Sequence, residues 1–170
     1  MITYQQRDPY NSKMSEQLLK IRKFQAADFE SLCRIDRICF PKGIAFSPAE
    51  LASYIRDSQS ITRVAEKKSE IVGFVLASIE KPSLAHIVTL DVIPAAHRRG
   101  IGLSLMESLH AILMEMHIGM VILEVSVANT AARNLYEKMH YEYHDKLARY
   151  YRGCEDAYRM ARSIFSKGMG

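Results

Sequence analysis

Apolar and polar positions alternate along this chain in two rhythms, and the changes between them mark out its elements. Leu103, Leu105, Met106, Leu109, Ile112, Leu113 and Met116 recur at three- and four-residue intervals, which predicts one face of a long helix. The stretch before it, residues 86–93, is dominated by apolar and β-branched residues and reads as a strand. Further upstream, residues 61–66, 71–79 and 85–92 read as three strands, the first two joined by a polar Lys67-Lys68-Ser69 hairpin. Downstream, residues 120–125 form an apolar strand, and 130–139 a helix striped by Ala132, Leu135, Tyr136 and Met139. Residues 141–147 and 157–161 read as two last strands around a tight turn.

Nearer the start, residues 18–24 partly alternate, as an edge strand does. Asp28 is placed to cap a helix carrying Phe29, Leu32, Cys33, Ile35 and Ile38, which ends before Pro41. Ser47-Pro48-Ala49-Glu50 combines an N-cap, a proline at the first helical position and a capping-box carboxylate, so a second short helix runs to about Arg56. Strands that follow one another around a single crossover helix predict a mixed α/β (α+β), three-layer domain. Strands 85–92 and 120–125 should pair in parallel at its centre. The polar, aperiodic residues 1–16 and the final residues 166–170 are expected to be tails, which leaves one domain over 17–165.

Composition narrows the function classes. A chain of 170 residues is long enough to bury a real core. Its net charge of +4 suits an anionic ligand, but no basic stripe of the kind nucleic acid demands is visible. Cys33, Cys39 and Cys154 are odd in number and lack metal-ligand spacing, so no metal is expected and the thiols read as reduced, in a cytoplasmic protein. No apolar run of spanning length predicts a membrane partner.

The chemistry concentrates where the strand meets the long helix, at Pro94-Ala95-Ala96-His97-Arg98-Arg99-Gly100-Ile101-Gly102. The first N–H groups of a helix have no intrahelical partners, and the macrodipole adds partial positive charge there. Gly100 and Gly102 let backbone approach a ligand without a Cβ, while Arg98 and Arg99 supply charge, so the turn reads as a phosphate site. No Gly-Lys-Ser/Thr follows and a third glycine is missing, which excludes a Walker A loop and makes a poor dinucleotide fingerprint. Glu124 stands among Val121, Ile122, Leu123 and Val125, where an unpaired carboxylate is costly. The alternatives are a solvated strand end or an arginine partner. Tyr136 lies on an apolar stripe, where a core tyrosine is the competing reading. His86 opens its strand, a position where a histidine is commonly structural. Asn129 precedes a helix, and capping alone would account for it.

Taken together, Val92-x-Pro94, then Arg98-Arg99-Gly100-x-Gly102 and an apolar helix, then the segments 123–129 and 134–141, resemble the GNAT N-acetyltransferases in order and spacing. The likeness covers roughly residues 18–162 and lies nearest the ribosomal-protein-alanine and Nα-terminal acetyltransferases. It implies the GNAT fold: a mixed sheet of six to seven strands, splayed between its two central parallel strands and flanked by four helices. It implies acetyl-CoA as cosubstrate, held by Leu90, Asp91 and Val92, by His97, Arg98, Arg99, Gly100, Ile101, Gly102 and Leu103, and by Asn129, Arg133 and Tyr136. By the same likeness Glu124 is the general base and Tyr136 the donor to the CoA sulfur. His86 is a second base candidate, at a position where related enzymes carry a tyrosine. His97 departs from the family's usual Gln or Arg, and His140 replaces a helix-ending glycine, at about 1 kcal/mol for a left-handed residue. Tyr150 and Tyr151, followed by Glu155-Asp156-Ala157-Tyr158, and the pair Phe40-Pro41 resemble the walls of a peptide groove. The implied acceptor is therefore a protein or peptide N-terminus, with a small-molecule amine, or a non-catalytic acyl-CoA-binding domain, as alternatives. Ribosome or auxiliary-subunit association stays open.

Overall fold

The computed structural model describes residues 19–151 and 153–165; Leu18, Arg152 and the expected tails lie outside them. Seven strands form one sheet: β1 (Lys20–Lys23), β2 (Ser60–Lys67), β3 (Glu70–Lys81), β4 (Leu84–Val92), β5 (Met120–Ser126), β6 (Glu142–Tyr151) and β7 (Glu155–Ser163). Four α-helices flank it: α1 (Phe29–Cys39), α2 (Pro48–Arg56), α3 (Ile101–Glu115) and α4 (Thr130–Lys138). The strand order is β1-β2-β3-β4-β5-β7-β6. Crossover through α3 makes β4 and β5 parallel, while the other neighbouring pairs are antiparallel. The β2–β3 turn places Lys68 and Ser69 at φ 52° and 62°, the two left-handed residues that a two-residue hairpin requires.

Alternate residues of the strands serve two cores. Val75 and Ala77 face the larger one, where α3 packs Leu105, Met106, Leu109 and Leu113, all fully buried, against Val121 and Leu123. Phe74 and Leu76 face the smaller one, covered by Leu32 and Ile35 of α1 and Leu51 of α2. Each such leucine contributes roughly 1.5–3 kcal/mol on leaving water. The sheet is thus held from both sides, and the site lies where it opens.

That opening has a local cause. Ala77 pairs with Ile87 and Leu76 with Thr89, so Val88 is an extra residue in β4, a bulge that bends the strand. Pairing of β4 with β5 runs from Leu84↔Met120 to Ile87↔Leu123 and stops, although the strands continue to Val92 and Ser126. Past the bulge the two central strands part.

Several expectations are corrected. Asp28 does not cap α1 with its side chain; its carboxylate accepts from Arg22 Nη1 and Nη2 at 2.7 and 2.9 Å and from the Gln25 N–H at 2.7 Å, in a short 3-10 turn ahead of the helix. Met116 is off the buried face of α3, because the helix ends at Glu115 and His117 turns left-handed at φ 59°. His110, not among the apolar positions, is buried there, its Nε2 at 2.7 Å from the Tyr141 hydroxyl. Tyr141 accordingly belongs to the core and not to β6, and the last two strands run longer than their apolar patterns suggest. The final strand also inserts between β5 and β6.

Candidate active site

The turn before α3 begins with a 3-10 segment, Pro94–Ala96, and then takes Arg98 and Gly100 through the left-handed region at φ 57° and 75°. Gly100 accepts the first helical bond, from the Ser104 N–H at 2.9 Å. Among the described residues, the N–H groups of Arg98, Arg99, Gly100, Ile101, Gly102 and Leu103 meet no backbone carbonyl. Successive free amides at a helix start are an anion site. The side chains of Ile101 and Leu103 pack into the large core, so these residues present only backbone to a ligand. Gly102 also has a packing role: a Cβ there would sit 3.3 Å from Leu135 Cδ2, so its bareness lets α3 approach α4. His97 turns back on its own loop, donating from Nε2 to the Val92 carbonyl at 2.7 Å, which the Cys39 thiol also reaches at 3.4 Å. That carbonyl is therefore already engaged.

Between the parted strands lies a cavity of about 540 Å³. Leu90, Glu124, Asn129, Tyr136, Phe40, Pro41, Tyr150 and Tyr151 are among the residues that line it. Asn129 caps α4, its Oδ1 accepting from the Ala132 N–H at 3.1 Å, and it also lines the cavity. Asp91 is not in the lining. Its carboxyl is buried on the side of α1, takes a 2.5 Å hydrogen bond from Thr89 Oγ1, and is pushed up to about 8 by burial. Arg133 is also off the cavity, its guanidinium lying 5.8 Å over the Tyr158 ring.

Glu124 is the hub. Register sets it directly across from Arg159 of β7, whose Nε–H donates to Oε1 at 2.9 Å. His86 of β4 places Nε2 2.6 Å from Oε2. Burial by itself would raise this carboxyl, whose side chain is 6% exposed, but the bonds from His86 and Arg159 prevail and hold it below the usual carboxylate range. For His86, burial lowers proton affinity, and the contact with Glu124, aided by Glu80, more than offsets it. The two residues weighed as rival bases are thus one hydrogen-bonded pair. Tyr151 donates to the Glu124 carbonyl at 3.3 Å, and the Tyr150 hydroxyl faces its carboxylate. Tyr136 is almost fully buried, packs edge-on to Tyr141, and makes no side-chain hydrogen bond with another described residue. Burial, with the nearby Tyr151 and Asp91 charges, raises its phenol above the ordinary range, so it stays protonated.

Arg159 and Glu80 were missed as site residues. An arginine in the middle of the expected strand 157–161 is a signal for Arg159, but a partner 35 positions away is invisible until register is known. Among the described residues no cluster of His, Cys, Asp or Glu could hold a metal, and no helix is long and apolar enough to cross a membrane.

A bulged, parted parallel pair, free amides at a helix start and one cavity lined by both a paired carboxylate and a buried phenol suit an acyl-transfer enzyme. The chain belongs to the acetyltransferase (GNAT) family, whose model matches residues 29–141, and it is an N-acetyltransferase of that type. It is 29% identical to an N-alpha-acetyltransferase of Sulfurisphaera tokodaii over 157 residues, covering 85% of this chain and 93% of that protein. Ard1 from Thermoplasma volcanium superposes with a TM-score of 0.81 at 26% identity, covering 87% of this chain and 99% of the other. Arabidopsis thaliana NAA60 in complex with acetyl-CoA has the same fold, with a TM-score of 0.77 at 23% identity over 86% of this chain and 99% of its own.

Proposed function

We propose that this acetyltransferase carries acetyl from acetyl-CoA to the α-amino group of a protein N-terminus, by direct attack within a ternary complex. The observation that carries the reading is the lining of one cavity by Glu124 and Tyr136 together with Phe40, Pro41, Tyr150 and Tyr151. Acetyl-CoA fits the residues present: the free amides from Arg98 to Leu103 and the Arg98 and Arg99 charges suit its diphosphate, and the gap beside Leu90 and Asn129 suits its arm. When bound it supplies an activated thioester carbonyl.

Glu124 accepts the proton of the incoming ammonium. A carboxylate held this low is a weak base, and that favours an α-amine over a lysine. An α-amino group, with pKa about 7.7–8.0, is neutral in roughly a tenth to a third of molecules near pH 7, a lysine in fewer than about one in a thousand. Tyr136 donates its phenolic proton to the departing sulfur, which its raised proton affinity keeps available. Tyr150 and Tyr151 hold the acceptor backbone, and Phe40 with Pro41 its first side chain. Similarity to proteins named N-alpha-acetyltransferase supports the same acceptor class.

The test is turnover of acetyl-CoA against short N-terminal peptides, lysine peptides and polyamines, with wild type and Glu124→Gln. Turnover on N-terminal peptides, lowered about 10²–10⁴-fold in the variant with KM little changed, is expected. Turnover on polyamines alone would overturn the acceptor assignment.

A further inference from the structure

The charged contacts of Glu124 do not end at His86. On the far side of the ring, Nδ1 lies 3.1 Å from Glu80 Oε1, a residue of β3 that does not line the cavity. The three side chains step outward in exposure, 6% for Glu124, 22% for His86 and 44% for Glu80. Register builds the row: Ser78 pairs with His86, His86 with Ile122, Glu124 with Arg159, and Arg159 with Asp145. Glu124 stands two residues beyond Ile122, on the same face of the sheet, and Glu80 is the extra residue of an irregularity between the pairs Ile79↔Ala85 and Lys81↔Leu84, from which its carboxylate reaches the His86 ring. Acid, imidazole, acid, guanidinium and acid thus alternate across five strands.

Given Glu124 as the base, we propose that Glu80 is a positioning residue for the reaction: it anchors and charges the His86 ring, whose protonation decides whether Glu124 can take the acceptor's proton. Carboxylate oxygens only accept, so a ring within reach of one at each nitrogen is best satisfied as an imidazolium, donating from both. In that state Glu124 is clasped by two cations, His86 and Arg159, and has little affinity for another proton. Discharge breaks the Nδ1–H bond and passes the proton by way of Glu80 to water. Nε2–H then remains on Glu124 as a neutral donor, consistent with the shorter of the two contacts, and the carboxylate regains its basicity. The ammonium N–H bond of the acceptor breaks as an O–H bond forms on Glu124, and that proton leaves to water with the product. Arg159 opposes the ring charge, Asp145 faces Arg159, and Tyr150 faces Glu124; Glu80 is the group on the solvent side that favours it.

The sign is distinctive. Removing the Glu80 charge disfavours the imidazolium, so Glu124 is released at lower pH and the acid side of the rate profile gains. A half-exposed carboxylate in this geometry is worth about half a pH unit, or about threefold in rate below the midpoint relative to each enzyme's own plateau. The experiment measures the full-length wild type, Glu80→Gln and Glu124→Gln. One readout is the His86 ring titration by ¹⁵N NMR, assigned with His86→Gln; the other is kcat against pH with acetyl-CoA and one N-terminal peptide. The amine of that peptide is common to all three proteins, so a difference between them belongs to the protein. The expected result is a ring midpoint and an acid limb that both move down by about half a unit in E80Q, with E124Q lowered about 10²–10⁴-fold at every pH. An unmoved ring midpoint, or a moved midpoint with an unmoved limb, overturns the role of Glu80 while leaving Glu124 as base. Full activity of E124Q overturns the base assignment itself.

Discussion

Tyr136→Phe removes a single oxygen from the cavity wall, and its two consequences separate catalysis from folding. The ring is buried, and phenylalanine keeps its contacts with Tyr141 and the core around it. Because the hydroxyl bonds to no described side chain, its loss leaves no buried partner stranded, and the usual cost of about 1–3 kcal/mol does not arise. Stability should change by about 0.5 kcal/mol or less, or about 1–2 °C in Tm for a domain of this size. Catalysis should fare differently. Loss of a positioned general acid costs about 10²–10⁴ in kcat, equivalent to about 2.7–5.5 kcal/mol of transition-state stabilisation. Steady-state kinetics with acetyl-CoA and an N-terminal peptide, alongside thermal unfolding, measure both. An acetyl thioester with a more acidic thiol should lose less, since its leaving group needs the proton less. Unchanged kcat would refute the donor role. A fall of several degrees in Tm together with a raised KM would show that Tyr136 merely shapes the core.

Two further outcomes concern stability. His140 sits at φ 62° after α4, where the Tyr141 N–H reaches back to the Tyr136 carbonyl at 2.9 Å; His140→Gly should relieve about 1 kcal/mol and raise Tm by about 2–4 °C, and an unchanged Tm would contradict it. Asp91 and Asp36 are raised by burial to about 8 and about 6, each with an unpartnered buried oxygen, so the folded state holds protons that the unfolded chain releases near pH 4. The stability they confer is complete below pH 4 and drains away as pH climbs through those values; Asp91→Asn should gain a few kcal/mol over wild type between pH 5 and 8, seen in denaturant midpoints across pH, and a pH-independent difference would refute it.

Local patterns were legible wherever their cause is local. The Ser47 capping box forms as its four residues predict, with Glu50 accepting from the Ser47 N–H at 2.8 Å. The helical period of α3 and α4 and the polar β2–β3 turn likewise match, since caps, turns and periods involve residues only a few positions apart. Met116 and Tyr141 were misplaced because both lie at element ends, where a left-handed residue or a distant partner decides the path.

The candidate site divides along the same line. The amino-acid order by itself determined the strand–turn–helix with its free amides, the crossover that makes β4 and β5 parallel, and the presence of Glu124, His86 and Tyr136 on regular elements. Only the tertiary structure decided that His86 and Glu124, 38 positions apart, share a hydrogen bond, that Arg159 closes the other carboxylate oxygen, and that Asp91 and Arg133 turn away from the cavity. The reason is register. A strand shows its neighbours alternate faces, so one bulged residue at Val88 and one inserted strand settle which side chains meet, and neither leaves a trace in any short stretch of the chain.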